Sequence, residues 1–451
     1  MSRKHLSSFA LGIATLAIAV LNSCTFGQNG NKDEARANSV IADYLYGVEY
    51  DDYDVEGGMA IYEQRVFPQG MCTEVRKGDF VGRNLDWYIN CDASAIIKVN
   101  AKNIEDAASL DPEKFVCSRF ASLGMCGCNP AFNNEMASEG KYDDIYALLP
   151  FATCDGINEN GVYIGVNVTA TGETSTDPAK WKTGEWGLGA NSTAKEEGKL
   201  TLCVTYLVRA ILDHATSVEH AKELINSINW YEPDNFPSPG QTQAFHFLIA
   251  DATSSTVCEF IDGAPVFVDA EDINEPGYGT IMTNFNNALM ARDVPIYQNS
   301  GCGYERFDLI KAQYPAADVE EDGMMAIEKM MKSVWYSNAY TKAIGADDFW
   351  FSEQYDASNE KFHAGNLYTK GKEMWNDPDF VAHVKEGQAK FNDRSLWHKT
   401  DCDLWYTTHT SIYDLKEKCV DVLVHEGLDG MKYYSETKFN VKFQKPLELA
   451  K

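Results

Sequence analysis

Cys72, Arg83 and Asp86 are the residues of this chain whose types and spacing could do chemistry. A Cys thiolate is a potent nucleophile, and a nearby Arg lowers its pKa. The residues between Cys72 and Arg83 read as two short strands, Cys72–Arg76 and Phe80–Asn84, joined at Lys77-Gly78-Asp79, a turn signal. Arg83 therefore lies one hairpin strand away from Cys72 and can sit beside it. Asp86, three residues on, can accept a hydrogen bond from an ammonium group. Amide hydrolysis needs a nucleophile, a base and hydrogen-bond donors for the oxyanion. A Cys72 at a chain terminus would carry its own base, because a free α-amine titrates at roughly 7.7–8.0. No His is then required, and the nine present make no Cys-His pair of recognisable spacing. A papain-like cysteine peptidase would instead need a His and an Asn or Asp gathered around Cys72.

The elements that must position these residues follow from periodicity. Strand character recurs at Ala95–Asn100, at Gly161–Thr169 after the turn Asn158-Glu159-Asn160-Gly161, and at Phe245–Ala250, Thr256–Asp262, Pro265–Val268 and Thr280–Thr283. Leu200–His214, Val218–Ile228, Glu305–Gln313 and Met324–Trp335 carry apolar residues at helical spacing. Leu404–Tyr413 and Cys419–His425 read as a late strand pair. Strands, two helices, strands, two helices and strands again predict an α+β chain with two antiparallel sheets covered by helices on both sides. That pattern permits a four-layer αββα sandwich, as well as other mixed α+β folds. Residues 40–71 hold a helix-like start, Ser39 to Leu45, and an acidic stretch, Glu49-Tyr50-Asp51-Asp52-Tyr53-Asp54, and read as a pro-segment or spacer. Residues 101–150 read as loop-rich, and residues 340–400 carry many aromatics, including Phe349, Trp350, Phe351, Trp375 and Trp397. Both stretches read as insertions, either as peripheral packing or as pocket loops.

Composition narrows the class. The chain has 451 residues and a hydrophobic share of 44%, enough for a sizeable core. Its formal charge of −28 makes nucleic acid an unsuitable partner, since phosphate contacts need clustered Lys and Arg. Arg3, Lys4 and His5 precede a mostly apolar run, Phe9 to Leu21, too short to span a bilayer and suited to a signal-peptide core. The run ends Leu21-Asn22-Ser23-Cys24, which resembles the cleavage box of bacterial lipoproteins. That likeness implies residues 1–23 as signal peptide, lipidation of Cys24, residues 24–71 as tether and pro-segment, and a lipid-anchored place at a bacterial cell envelope. Export permits disulfides among the ten other cysteines, whose pairing is not legible. Cys126-Gly127-Cys128 is too close for an ordinary zinc site.

The motif Cys72-Thr73 followed by Gly82-Arg83-Asn84-Leu85-Asp86-Trp87 resembles the start of the catalytic chain in the choloylglycine hydrolase and penicillin V acylase family. Four further segments agree in order: Asp155-Gly156-Ile157-Asn158-Glu159-Asn160-Gly161 leading into Asn167, Phe245 to Asp251, Met282-Thr283-Asn284, and Gly303-Tyr304-Glu305-Arg306-Phe307. The resemblance implies the N-terminal-nucleophile hydrolase fold over residues 72–451. It implies hydrolysis of linear C–N amide bonds in small N-acyl amides through a thioester, with neither cofactor nor metal. Bile salts, penicillin V-like amides and fatty-acyl amides all fit as substrates. It further implies Cys72 as nucleophile and, through its α-amine, base. Arg83 supports the thiolate and Asp86 holds the α-amine. Asn167 and Asn284 donate to the oxyanion, and Arg306 holds the site together. Cys72 lies far from the first residue, so the likeness also implies cleavage at Met71-Cys72, which in some relatives is self-cleavage. His246 reads as a core histidine. A homo-oligomer is left open, and a catalytically dead ligand-binding lipoprotein is the rival from another class.

Overall fold

The computed structural model describes residues 36–42, 45–55, 57–58, 71–88, 93–102, 118–128, 147–169, 191–232, 244–291, 303–334, 405–424 and 438–443. The expected signal peptide, Cys24 and the aromatic stretch 340–400 lie outside the described residues. In chain order the strands are β1 (Arg36–Ala42), β2 (Leu45–Tyr50), β3 (Met71–Lys77), β4 (Phe80–Tyr88), β5 (Ala93–Val99), β6 (Ser122–Cys128), β7 (Thr153–Asn158), β8 (Tyr163–Thr169), β9 (Leu200–Cys203), β10 (Ile228–Tyr231), β11 (Ala244–Ala250), β12 (Ser255–Ile261), β13 (Ala264–Asp269), β14 (Ile281–Met282), β15 (Trp405–Asp414), β16 (Cys419–Val424) and β17 (Lys438–Lys442). The α-helices are α1 (Leu207–His214), α2 (Val218–Ser227), α3 (Asn287–Met290), α4 (Tyr304–Gln313) and α5 (Met324–Ser333).

One sheet runs β1-β2-β5-β6-β7-β8-β11-β12-β13, and a second runs β14-β3-β4-β15-β16-β17. Side-chain alternation along the strands sorts the core into layers. Phe247 and Ile249 of β11 pack with Leu207, Ile211 and Ile225 of α1 and α2. Leu248 of β11 points the other way and meets Val81, Tyr413 and Val422 of the second sheet. Val75 and Ile412 of that sheet pack outward against Phe307, Ile310, Ile327 and Met331 of α4 and α5. Helices, sheet, sheet and helices thus stack as a four-layer αββα sandwich. Truncating a fully buried residue of the middle layer such as Leu248 to Ala would cost about 2–5 kcal/mol.

Several elements differ from the sequence-based expectation. Leu200–His214 is not one helix: Leu200–Cys203 is a strand paired in parallel with β10, and the α-helix begins at Leu207. A short apolar run satisfies both periods, and the parallel neighbour decides. The loop-rich stretch 101–150 contains β6, which pairs with β5 and β7. Residues 36–42 and 45–50 form strands rather than a helix start, and β2 pairs in parallel with β5, so the first sheet is not wholly antiparallel.

That last pairing makes residues upstream of Cys72 part of the core. Val48, Tyr50, Tyr53 and Val55 join the cluster under α1 and α2. Lys98 Nζ pairs with Glu49 Oε1 at 2.8 Å, and the Asn100 N–H donates to the Tyr50 carbonyl at 2.8 Å. The Tyr53 hydroxyl donates to the buried carboxylate of Asp213, which also accepts from Arg209 Nη2 at 2.6 Å.

Candidate active site

The β3–β4 hairpin brings the first two residues together. Its register sets Cys72 opposite Leu85, Glu74 opposite Arg83 and Met71 opposite Asp86. Cys72, Glu74 and Arg83 therefore face the interior between the sheets, whereas Asp86 faces the α4 side. Arg83 Nη2 donates to Cys72 Sγ at 3.4 Å and to the Val166 carbonyl at 2.8 Å. The thiol is 3% exposed. Burial pushes its pKa up to about 12, the Arg83 charge pulls it down, and Asp86 and Glu74 push it up again. In the uncut chain the thiol is therefore protonated near neutral pH.

Arg306 ties the second group together from α4. Its Nη1 donates to the Cys72 carbonyl at 2.5 Å and to Thr73 Oγ1 at 2.8 Å, and lies 3.3 Å from Asp86 Oδ2. Its Nη2 donates to Asn284 Oδ1 at 2.6 Å. That oxygen also accepts the Cys72 backbone N–H at 3.0 Å. Gly303 precedes α4 with φ +87, a conformation in which a side chain is strained, and a Cβ there would stand 2.6 Å from Arg306 Nη2. Asp86 accepts from Thr407 Oγ1 at 2.5 Å. Burial raises its pKa to about 6, against the opposing pull of Arg306 and the Thr407 hydrogen bond.

The two Asn residues meet at the junction of the sheets. Asn284 Nδ2 donates to the Val168 carbonyl at 2.6 Å, and Asn167 Nδ2 to the Thr283 carbonyl at 3.1 Å. Asn167 Oδ1 is buried without a hydrogen-bond partner among the described residues. All six residues singled out from the sequence in residues 72–306 are thus gathered around one point. In this uncut chain the Cys72 nitrogen meets Asn284 rather than Asp86.

Two carboxyl groups of the site were not picked out from the sequence. Asp155 Oδ1 accepts from Arg83 Nη1 at 2.5 Å, while its Oδ2 accepts from Ser411 Oγ at 2.5 Å and Tyr413 OH at 2.7 Å. Glu74 Oε1 lies 3.2 Å from Arg83 Nε, and its Oε2 accepts from Tyr163 OH at 3.0 Å. Burial raises Glu74 to about 8, with Arg83 opposing and Asp155 adding to the rise. One guanidinium thus stands between two buried carboxyl groups, of which Glu74 is largely protonated at neutral pH. Gly165 makes room for this: a Cβ there would lie 2.3 Å from Glu74 Oε2 and 2.4 Å from Tyr163 OH. Glu74 was legible, because a hairpin turning at Lys77-Gly78-Asp79 puts residue 74 across from 83. Asp155 was quoted only as the first residue of a segment that resembles the family, with no role of its own.

Among the described residues no group of three or more His, Cys, Asp and Glu side chains is arranged to hold a metal ion. The described group that reaches the Cys72 thiol is Arg83, where a papain-like site would need an imidazole.

Comparison with known proteins bears on this geometry. No curated protein sequence matches the chain. Among solved structures, a variant of conjugated bile acid hydrolase from Clostridium perfringens is similar at 14% identity and TM-score 0.42, over 83% of this chain and 93% of that one. Penicillin V acylase from Agrobacterium tumefaciens is similar at 15% identity and TM-score 0.41, over 83% and 86%. The model of the linear amide C-N hydrolases, choloylglycine hydrolase family, matches residues 71–295, beginning one residue before Cys72. On that match the chain belongs to the choloylglycine hydrolase family and is a linear amide C-N hydrolase.

Proposed function

We propose that the protein hydrolyses small N-acyl amides with Cys72 as an N-terminal nucleophile, exposed by cleavage of the Met71–Cys72 bond. The observation that carries this reading is the contact of Arg83 Nη2 with the Cys72 thiol, 3.4 Å away, while the Cys72 nitrogen is held on Asn284 Oδ1. The start of the family match at residue 71 agrees with it. Asp86 stands across from Met71, so removing Met71 would leave its carboxylate bordering the new α-amine.

In the cut enzyme the α-amine takes the thiol proton and Arg83 offsets the thiolate charge. Sulfur attacks the amide carbonyl carbon, and the oxyanion draws on donors of the Asn167 and Asn284 region. The α-ammonium returns its proton to the departing amine, which leaves a thioester on Cys72. Water, deprotonated by the same α-amine, attacks the thioester and releases the acid and the thiol. The protonated thiol of the uncut chain fits a precursor that is inactive until processed.

The leader reading places the protein outside the cytoplasm, lipidated at Cys24 and held at the envelope. β2 (Leu45–Tyr50) is part of the first sheet and Tyr53 and Val55 pack in the core beneath it, and this supports a cut enzyme that keeps its tether by non-covalent packing. The test combines intact mass with a panel of bile-salt, penicillin V-like, fatty-acyl and acyl-homoserine lactone amides, assayed on wild type and Cys72→Ala. A mass matching a chain that starts at Cys72, and amidase activity lost in Cys72→Ala, are expected. An active enzyme still joined across Met71–Cys72 overturns the reading.

A further inference from the structure

We propose that His246 and Glu259 are positioning residues that hold both flanks of Asn284 in its working place. This rests on the reading of Asn284 given above. His246 lies on the inward face of β11, across from Asn167 of β8 and Glu259 of β12. It is 0% exposed and Glu259 is 1% exposed, in the layer that otherwise holds Leu248, Val257 and Met282. A buried ionisable pair in such a layer is often no more stabilising than apolar residues of the same size. Its contacts here converge on one short segment. His246 Nε2 donates to the Thr283 carbonyl at 2.9 Å, the carbonyl that also receives Asn167 Nδ2. His246 Nδ1 is hydrogen-bonded to Glu259 Oε1 at 3.0 Å. Glu259 in turn accepts the backbone N–H of Asn287 at 2.6 Å and of Ala288 at 2.8 Å.

Asn284 is thereby bracketed. The residue before it is tied through its carbonyl to the first sheet by His246. The start of α3, three residues after it, is tied to the same sheet by Glu259. The Asn284 side chain is left to meet Cys72 N, Arg306 and the Val168 carbonyl from a fixed backbone. The clamp crosses from one sheet to the other, so it also fixes Asn284 relative to Asn167. A group held loosely by even 1 Å loses rate steeply, by about a hundredfold.

The experiment compares His246→Asn, His246→Gln, Asn284→Ala and the double variant His246→Asn/Asn284→Ala in the processed enzyme, reading kcat, KM and Tm. Gln can place a donor where Nε2 stands, whereas Asn reaches only the Nδ1 position. The expected result is a kcat loss of about 10- to 100-fold in His246→Asn with little change in KM, substantial recovery in His246→Gln at a similar Tm, and no further kcat loss when His246→Asn is added to Asn284→Ala. Near-wild-type kcat in His246→Asn, or equal losses in the Asn and Gln variants that follow Tm, overturns the inference while Asn284→Ala keeps a reduced but measurable kcat. Full activity in Asn284→Ala would instead remove the reading of the site on which the inference stands.

Discussion

Replacing Asp155 by Asn should destabilise the protein far more at pH 5 than at pH 8. Arg83 is buried and has two carboxyl neighbours, Asp155 at 2.5 Å and Glu74 at 3.2 Å. In the native protein Asp155 makes the closer contact with Arg83, and Glu74, raised by burial from 4.5 to about 8, keeps its proton at neutral pH. Asp155→Asn removes the charge and leaves Arg83 unpaired, a loss of about 3–5 kcal/mol for a broken buried pair. It also removes one of the influences that hold Glu74 up, so the Glu74 pKa falls. At pH 8 Glu74 is then ionised and takes over the guanidinium. Each unit of that fall returns about 1.4 kcal/mol between pH 5 and pH 8. The assay is denaturant unfolding of the wild type, Asp155→Asn, Glu74→Gln and the double variant at both pH values. The double variant has no carboxyl group left for Arg83, so it should be the least stable and should lose the pH dependence. An equal cost of Asp155→Asn at pH 5 and pH 8, with an additive double variant, would refute the exchange of counter-charge.

Glu74→Gln alone has a sign of its own. Folded Glu74 holds a proton between pH 4.5 and about 8 that the unfolded chain releases, so its contribution is intact below pH 4.5 and is lost as pH rises through about 8; the variant should flatten the fall of Tm over that window, as thermal melts at half-unit steps would reveal. Gly165→Ala drives a Cβ to 2.3 Å from Glu74 Oε2 and 2.4 Å from Tyr163 OH, and should cost about 1–3 kcal/mol by overpacking and lower kcat more than it raises KM. Tyr53→Phe strips one donor from buried Asp213, at a cost of about 1–3 kcal/mol, and should loosen residues 45–58. Size-exclusion chromatography of the processed protein should then show the upstream fragment leaving the Tyr53→Phe enzyme sooner than the wild type.

The sequence was most readable where neighbours in space are also neighbours in the chain. The hairpin from Met71 to Tyr88 announced itself through its turn, and its register followed. The helices at Val218 and Met324 were legible because one face of each is apolar, and the one at Tyr304 from Phe307 and Ile310 at helical spacing. β6 was not, since Ser122-Leu123-Gly124-Met125-Cys126-Gly127-Cys128 contains no β-branched or aromatic residue and is a strand only because β5 and β7 pair with it. β2 failed for a similar reason: its parallel partner begins more than forty residues later. Cys72, Arg83, Asn284 and Arg306 could be singled out by motif, whereas Asp155 gains meaning only when the two sheets face each other and bring Arg83, Ser411 and Tyr413 to it.

The position of β2 between β1 and β5 has a consequence for the life of a processed enzyme. While the chain is continuous, β2 searches for its slot at the high effective concentration of a tethered segment. Once the bond before Cys72 is cut, that tether is gone, and a β2 that leaves would have to return from dilute solution. Its departure would also uncover the backbone donors and acceptors of β5, a template for pairing with strands of other molecules. Unfolding would be reversible before maturation and effectively one-way after it. The lifetime of the mature enzyme would then be governed by how slowly a single strand lets go.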